Sequence, residues 1–278
     1  MKPETRTTGW TRIYGPWALV TGASDGIGRA IASDCAARGL NLILVARNQV
    51  ALDLLAAELT RAHLVRVRVV AADLGDSGAL DRLLATLGDI DIGLLVLAAG
   101  FGTAGSFLAT DLTEEQAMLA VNCGAVLTLS HALAPGLVAR GRGGIILFSS
   151  IVAFQGVARA AHYAATKAYN HVLAEGLSRE LAPLGIDVLA CTPGPVASGF
   201  AARSQLQMGA AANPQRIAHE TLQALGKRHI VRPGLQSKLL IYGLSTLPRV
   251  ARGAIMSAIM AGMTRHHHDT KTNTYRPA

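Results

Sequence analysis

The chain has 278 residues, half of them hydrophobic and only 16% charged, which suits one large domain with a full core and excludes a disordered or low-complexity protein. Its net charge of +8 is confined to the tail: residues 226–278 carry nine Lys and Arg against Asp269 alone, while residues 1–225 balance. A charge excess placed there, without interleaved aromatic residues, is no argument that the body binds nucleic acid, and none is expected as a partner.

In chain order, residues 1–13 lack periodicity and an apolar h-region, so we read a flexible N-terminal arm and no secretory signal. Cys35, Cys123 and Cys191 are far apart and odd in number, which predicts buried thiols in a reducing compartment, no metal site and a cytoplasmic protein. No apolar run reaches the ~20 residues of a bilayer span without a charge or break. Trp17–Thr21 reads as a strand, followed by the turn Gly22-Ala23-Ser24-Asp25-Gly26-Ile27-Gly28 and a helical pattern from Arg29 to Arg38. Strand, glycine turn and helix are the setting in which backbone N–H groups and a helix N-terminus receive a pyrophosphate.

A second apolar run, Asn41–Val45, ends in Ala46-Arg47-Asn48. A dinucleotide fold brings this strand end to the adenosine ribose, where an acid would bind a free 2′-hydroxyl and an Arg would accept a 2′-phosphate. Arg47 therefore favours NADP(H), with NAD(H) as the alternative; a solvated loop arginine is the plainer explanation. Helix Gln49–Arg61, strand Val65–Ala71 and Ala72-Asp73-Leu74 follow, with Asp73 either meeting the adenine or capping the helix near Ser77. Strand Ile92–Leu97 runs into Ala98-Ala99-Gly100, small enough for a cofactor to lie against the backbone. Thr113 opens a long helical stretch in which Asn122 sits among apolar neighbours, either anchoring a water near a catalytic lysine or satisfied by backbone.

Ile145–Phe148 reads as a buried strand ending at Ser149 and Ser150. Beyond it, Tyr163 and Lys167 are four residues apart and share one helix face. A fixed ammonium favours a phenolate and is expected to lower the Tyr163 pKa, while a strand-end hydroxyl holds the carbonyl that the phenol protonates. Strand Gly185–Ala190 ends in Thr192-Pro193-Gly194-Pro195-Val196, a loop expected to cross the cofactor. Residues 197–212 read as a mobile lid, and a helix runs from Pro214 to Gly226.

Together, TGASDGIG, Asp73, Asn122, Ser150, Tyr163-x-x-x-Lys167 and the PGPV turn resemble a short-chain dehydrogenase/reductase of the ketoacyl/steroid-reductase branch, over roughly residues 14–232. The resemblance implies an α/β fold: one doubly wound Rossmann-like domain with a seven-stranded parallel sheet, here with a C-terminal helical extension at 233–278. It implies Tyr163 as acid/base, Lys167 as ribose ligand, Ser150 as substrate-orienting hydroxyl and Asn122 in a proton relay. It also implies cofactor contacts at Gly22, Ser24, Asp25, Gly26, Ile27, Gly28, Arg47, Asn48, Asp73, Leu74, Ala98, Ala99, Gly100, Tyr163, Lys167, Pro193, Gly194 and Val196. The expected activity is reduction of a small hydrophobic carbonyl, or oxidation of the matching alcohol, by a homodimer or homotetramer. A dinucleotide-binding sensor or membrane-surface protein without turnover is the alternative. Ala98 stands where the family usually has Asn, so altered support of the pocket is expected there.

Residues 235–263 alternate apolar clusters with Lys238, Arg249 and Arg252, broken at Pro248. Two short basic amphipathic helices are expected, lying on an anionic membrane surface or packed on the body or a neighbouring subunit. The His266-His267-His268 run reads as solvated.

Overall fold

The apolar runs pair side by side as parallel strands in a computed structural model that describes residues 9–264 except 205, 208 and 210. They are β1 (Trp17–Thr21), β2 (Asn41–Ala46), β3 (Val67–Ala71), β4 (Ile92–Leu97), β5 (Gly143–Phe148), β6 (Ile186–Cys191) and β7 (Ile230–Val231). One seven-stranded sheet results, ordered β3-β2-β1-β4-β5-β6-β7. Successive strand residues feed opposite faces, so Val20 joins one core and Leu19 the other. Both faces are covered, which is why β1, β2, β4 and β5 are buried throughout and mostly apolar rather than alternating. Edge strand β3 is only partly buried and carries Arg68.

The helices are α1 (Gly9–Tyr14), α2 (Gly26–Ala37), α3 (Gln49–His63), α4 (Ser77–Leu87), α5 (Leu112–Leu119), α6 (Ala125–Arg140), α7 (Ala161–Leu181), α8 (Phe200–Arg203), α9 (Pro214–Ala224), α10 (Leu235–Ser245) and α11 (Arg249–Met263). On one face Ile31 of α2, Leu52 of α3 and Leu222 of α9 pack on the strands; on the other, Leu83 of α4, Leu129 of α6 and Ala174 of α7 do so. The chain reverses its winding between β1 and β4, and the crevice beyond these strand ends is where such sheets bind ligands.

The expected flexible arm (1–13) is corrected from residue 9 onward; residues 1–8 lie outside the described residues. Gly9–Tyr14 is helical, the Trp10 and Tyr14 rings stand 4.5 Å apart, and Arg38 lies 4.7 Å over Trp10. The buried Tyr14 hydroxyl donates to Asp187 Oδ2 at 2.7 Å. Six residues are too few to display helical periodicity, which is why the sequence conceals α1.

The helical stretch Leu112–Arg140 spans 29 residues and contains an 18-residue window of mean hydropathy 1.6, enough by length and composition alone to cross a membrane. In the structure Val126, Leu129 and Leu137 of this stretch are buried in the domain. It is interrupted by a single π-helical turn, Ala120–Gly124.

The tail forms two helices separated at Pro248, as its sequence requires. Their inner side packs on the domain through Ser237, Met256 and Met260, while Leu235, Leu239, Tyr242 and Val250 are exposed. The His266–His268 run lies outside the described residues.

Candidate active site

The turn after β1 is glycine-dependent for a definable reason. Gly22 and Gly26 have φ of +68° and +52°, and a Cβ on Gly28 would stand 2.3 Å from Gly22 O. A Cβ on Gly22 would stand 2.9 Å from Ala99, so the turn also lies tight against the β4 end. Asp25, at the cap position of α2, makes no side-chain cap bond; its Oδ2 instead accepts from Gly199 N at 2.7 Å, tying the segment just before α8 to the turn. Asn48 caps α3 by accepting from Ala51 N. Asp73 accepts from Gly75 N at 2.9 Å, and Asp76 rather than Asp73 caps α4.

The β4 end reveals what replaces the missing asparagine at Ala98. Thr21 Oγ1 accepts from Ala99 N at 3.1 Å, and the Asn122 side chain brackets Phe101, accepting from its N–H at 3.1 Å and donating to its C=O at 2.8 Å. Asn122 Nδ2 also donates to Thr166 Oγ1 at 3.0 Å. The fully buried amide therefore staples the Ala98–Phe101 segment to α7. The π turn re-aims the backbone there, and Asn122 O accepts from Asn170 Nδ2 at 3.0 Å.

A cleft of about 510 Å³ runs from the glycine turn past Arg47 and Asp73 to Ser150, Tyr163 and Lys167. Every expected cofactor-contact residue borders it, including Leu74, Pro193, Gly194 and Val196, whereas Asn122 stands behind the wall. Two serines end β5, and the fold separates them. Ser149 Oγ donates to Lys167 O at 2.8 Å and is consumed by α7. Ser150 Oγ accepts from Val152 N at 3.4 Å, which leaves its own proton to donate into the cleft.

Lys167 Nζ is buried, donates to Phe148 O at 3.2 Å and lies 5.7 Å from the Tyr163 ring centre. An ammonium has three donors, so two remain for hydroxyls on a cofactor ribose. Burial lowers the Lys167 pKa to about 8. Burial also raises Tyr163 to about 12, against the Ser150 hydroxyl, which pulls it down. Here desolvation outweighs the lowering expected from the nearby ammonium, because both groups lie deep in the protein. At neutral pH the phenol is protonated.

Features the sequence concealed complete the cleft. Phe200 of α8 stands 5.6 Å from Tyr163, ring to ring. Arg203 lies 3.9 Å over Phe101; burial lowers its pKa and neighbouring Arg47 adds to the effect. Leu240, Met256, Ile259 and Met260 from the tail helices roof the Tyr163 end. Among the described residues no cluster of His, Cys, Asp and Glu could hold a metal ion.

The residues present fit a dinucleotide: a glycine turn against an open helix N-terminus, a cation at the β2 end, and a buried lysine with unused donors. A model of the short chain dehydrogenase family matches residues 16–209. A Very-long-chain 3-oxoacyl-CoA reductase of Podospora anserina is 37% identical over 179 residues, 63% of this chain and 53% of that one. A human protein named Inactive hydroxysteroid dehydrogenase-like protein 1 is 32% identical over 219 residues, 77% of this chain and 66% of its own. The chain thus spans about half to two thirds of the length of these curated relatives. Among solved structures, a short-chain dehydrogenase from Sphingobium yanoikuyae in complex with NADPH superposes with a TM-score of 0.77 at 32% identity, covering 87% of this chain and 96% of that one.

Proposed function

The chain belongs to the short-chain dehydrogenase family, and on that premise we propose that it is an NADP(H)-dependent reductase of an apolar ketone, with Tyr163 as the acid. The observation that carries the reading is the convergence of Ser150, Tyr163 and Lys167 at one end of a cleft whose other end is the glycine turn. A bound NADPH supplies the hydride; one proton from Tyr163 completes the alcohol, so each turnover consumes one ketone, one NADPH and one proton.

Ser150 donates a hydrogen bond to the carbonyl oxygen, fixing it within reach of the phenol. Burial holds the Tyr163 phenol in its protonated form, the form from which reduction draws its proton. Lys167 binds the ribose hydroxyls with its two unused donors, and its charge stabilises the phenolate left after proton transfer. Asn122 acts through the Ala98–Phe101 segment that it staples. Arg47, with no acid beside it at the β2 end, supports NADP(H) over NAD(H). The apolar roof supports a substrate with an extended hydrophobic body.

A binding protein without turnover is the second reading, motivated by Ala98 and by the relative named inactive. NADPH oxidation against a panel of ketones, 3-oxoacyl thioesters and steroids separates the two: turnover with any member supports the reductase, and NADPH binding with no turnover across the panel favours the second reading. We further propose a cytoplasmic homodimer or homotetramer paired through α6 and α7, where Leu127, Tyr169 and Val172 are exposed, with peripheral membrane contact through the outer side of α10 and α11. Light scattering of the purified chain tests the first of these, and a monomer across the micromolar range would refute it.

A further inference from the structure

Behind the roof lies a second cavity of about 120 Å³. Ile151, Leu240 and Met256 border both spaces, so the partition is one side chain thick. The smaller space has a different chemistry. Arg232, just past β7, and Arg252 of α11 line it together with Gln155 and Ser245. The Nε of each arginine is buried without a hydrogen-bond partner. No carboxylate among the described residues comes within 4.0 Å of either guanidinium.

Arg232 lies 5.7 Å over Phe154 and 5.6 Å over Tyr242, contacts that hold the guanidinium plane and leave its buried Nε–H unsatisfied. Its other titratable neighbour is His171, whose Nδ1 is also buried and unpartnered and whose Nε2 stands 3.7 Å from Glu175. Both arginines are half-buried; leaving the buried Nε–H of each unpaired is costly, and two cations lining one small cavity add repulsion. A guanidinium fork is built for a planar or tetrahedral oxyanion. The nearby backbone argues in the same direction: Ile151 directly follows Ser150, so the cavity begins one residue from the group that would hold the reacting carbonyl.

We propose that Arg232 and Arg252 bind an oxyanion, carboxylate or phosphate, at the far end of an apolar substrate whose reacting carbonyl lies at Tyr163. The placement of that carbonyl rests on the reductase reading; the anion site itself does not. An uncharged apolar body then fills the space under Leu240 and Met256, and the charged end passes between them.

The test is calorimetric titration of the full chain with decanoate, decyl phosphate and 1-decanol below their aggregation limits. At least one anion is expected to bind about tenfold or more tighter than decanol, the scale of a hydrogen bond to a charged group. A larger margin for decanoate assigns a carboxylate, and a larger margin for decyl phosphate assigns a phosphate. Arg232→Gln and Arg252→Gln should each remove most of the margin with decanol affinity unchanged, and Arg232→Lys should keep part of it. Equal affinity for all three compounds in the unaltered chain overturns the proposal, as does a margin that survives in both glutamine variants. The two readings fail separately: a chain that binds decanoate by this margin but reduces no ketone keeps the site and loses the reductase, and the converse loses only the site.

Discussion

Replacing Asn122 with Ala removes three hydrogen bonds from a fully buried side chain: two with Phe101 N and O and one with Thr166 Oγ1. Thr166 keeps its bond to Tyr163 O at 2.9 Å, so the principal loss falls on Phe101, a buried residue whose N–H and C=O both lose this partner. Each unsatisfied buried group costs about 1–3 kcal/mol, so the two groups of Phe101 give a destabilisation of about 2–6 kcal/mol. For a chain of this size roughly 2–4 °C of Tm accompanies each kcal/mol, which places the loss at about 4–24 °C. Activity should fall as well, because the Ala98–Phe101 segment that borders the cofactor is no longer tied to α7. Urea and thermal unfolding read the first effect, and kcat/KM at a temperature where the variant is fully folded reads the second. A Tm within about 2 °C of the unaltered chain would refute the staple.

Three further outcomes follow from the same geometry. Lys167, lowered by burial to about 8, loses its charge as pH rises through that value, so ketone reduction should fall tenfold per pH unit above about 8 and stay flat from about 6 to 7; a profile flat to pH 10 would separate Lys167 from turnover. Arg47→Ser should raise the KM for NADPH by about tenfold or more while leaving NADH nearly unchanged, and equal effects on the two cofactors would remove the 2′-phosphate role. Vesicles containing anionic phospholipid should sediment the chain in low salt, and Leu239→Glu with Val250→Glu, both on exposed positions, should abolish this; unchanged sedimentation would refute membrane contact through the tail helices.

Long apolar runs made the sheet legible, because strands buried on both faces carry no polar alternation to confuse with a loop. Strand β7 escaped notice because two residues, Ile230 and Val231, make no pattern; its place is fixed by pairing with β6 and not by its own sequence. The site residues were legible for a related reason. Glycines at φ values that other residues rarely adopt and a Tyr and Lys one helical turn apart are local constraints that spacing reveals. Contacts between distant segments were not. Thr21 supporting Ala99, Asn122 bracketing Phe101 and Arg203 reaching over Phe101 each depend on where the sheet brings separate loops. The Tyr163 pKa is the clearest instance: a charge pair suggested a lowered value, while the depth of burial, known only from the fold, raises it to about 12. The tail helices likewise showed their amphipathic character in sequence, but not that Met256 and Met260 turn inward to roof the cleft.

The central claim is that one phenol supplies the proton, and Tyr163→Phe tests it most directly. The variant loses only a hydroxyl, so its Tm and its affinity for NADPH should match those of the unaltered chain. Single-turnover oxidation of bound NADPH by a ketone that the unaltered chain reduces should slow by about 10²–10⁴-fold. A rate within tenfold of the unaltered chain, with NADPH bound equally well, would contradict the account.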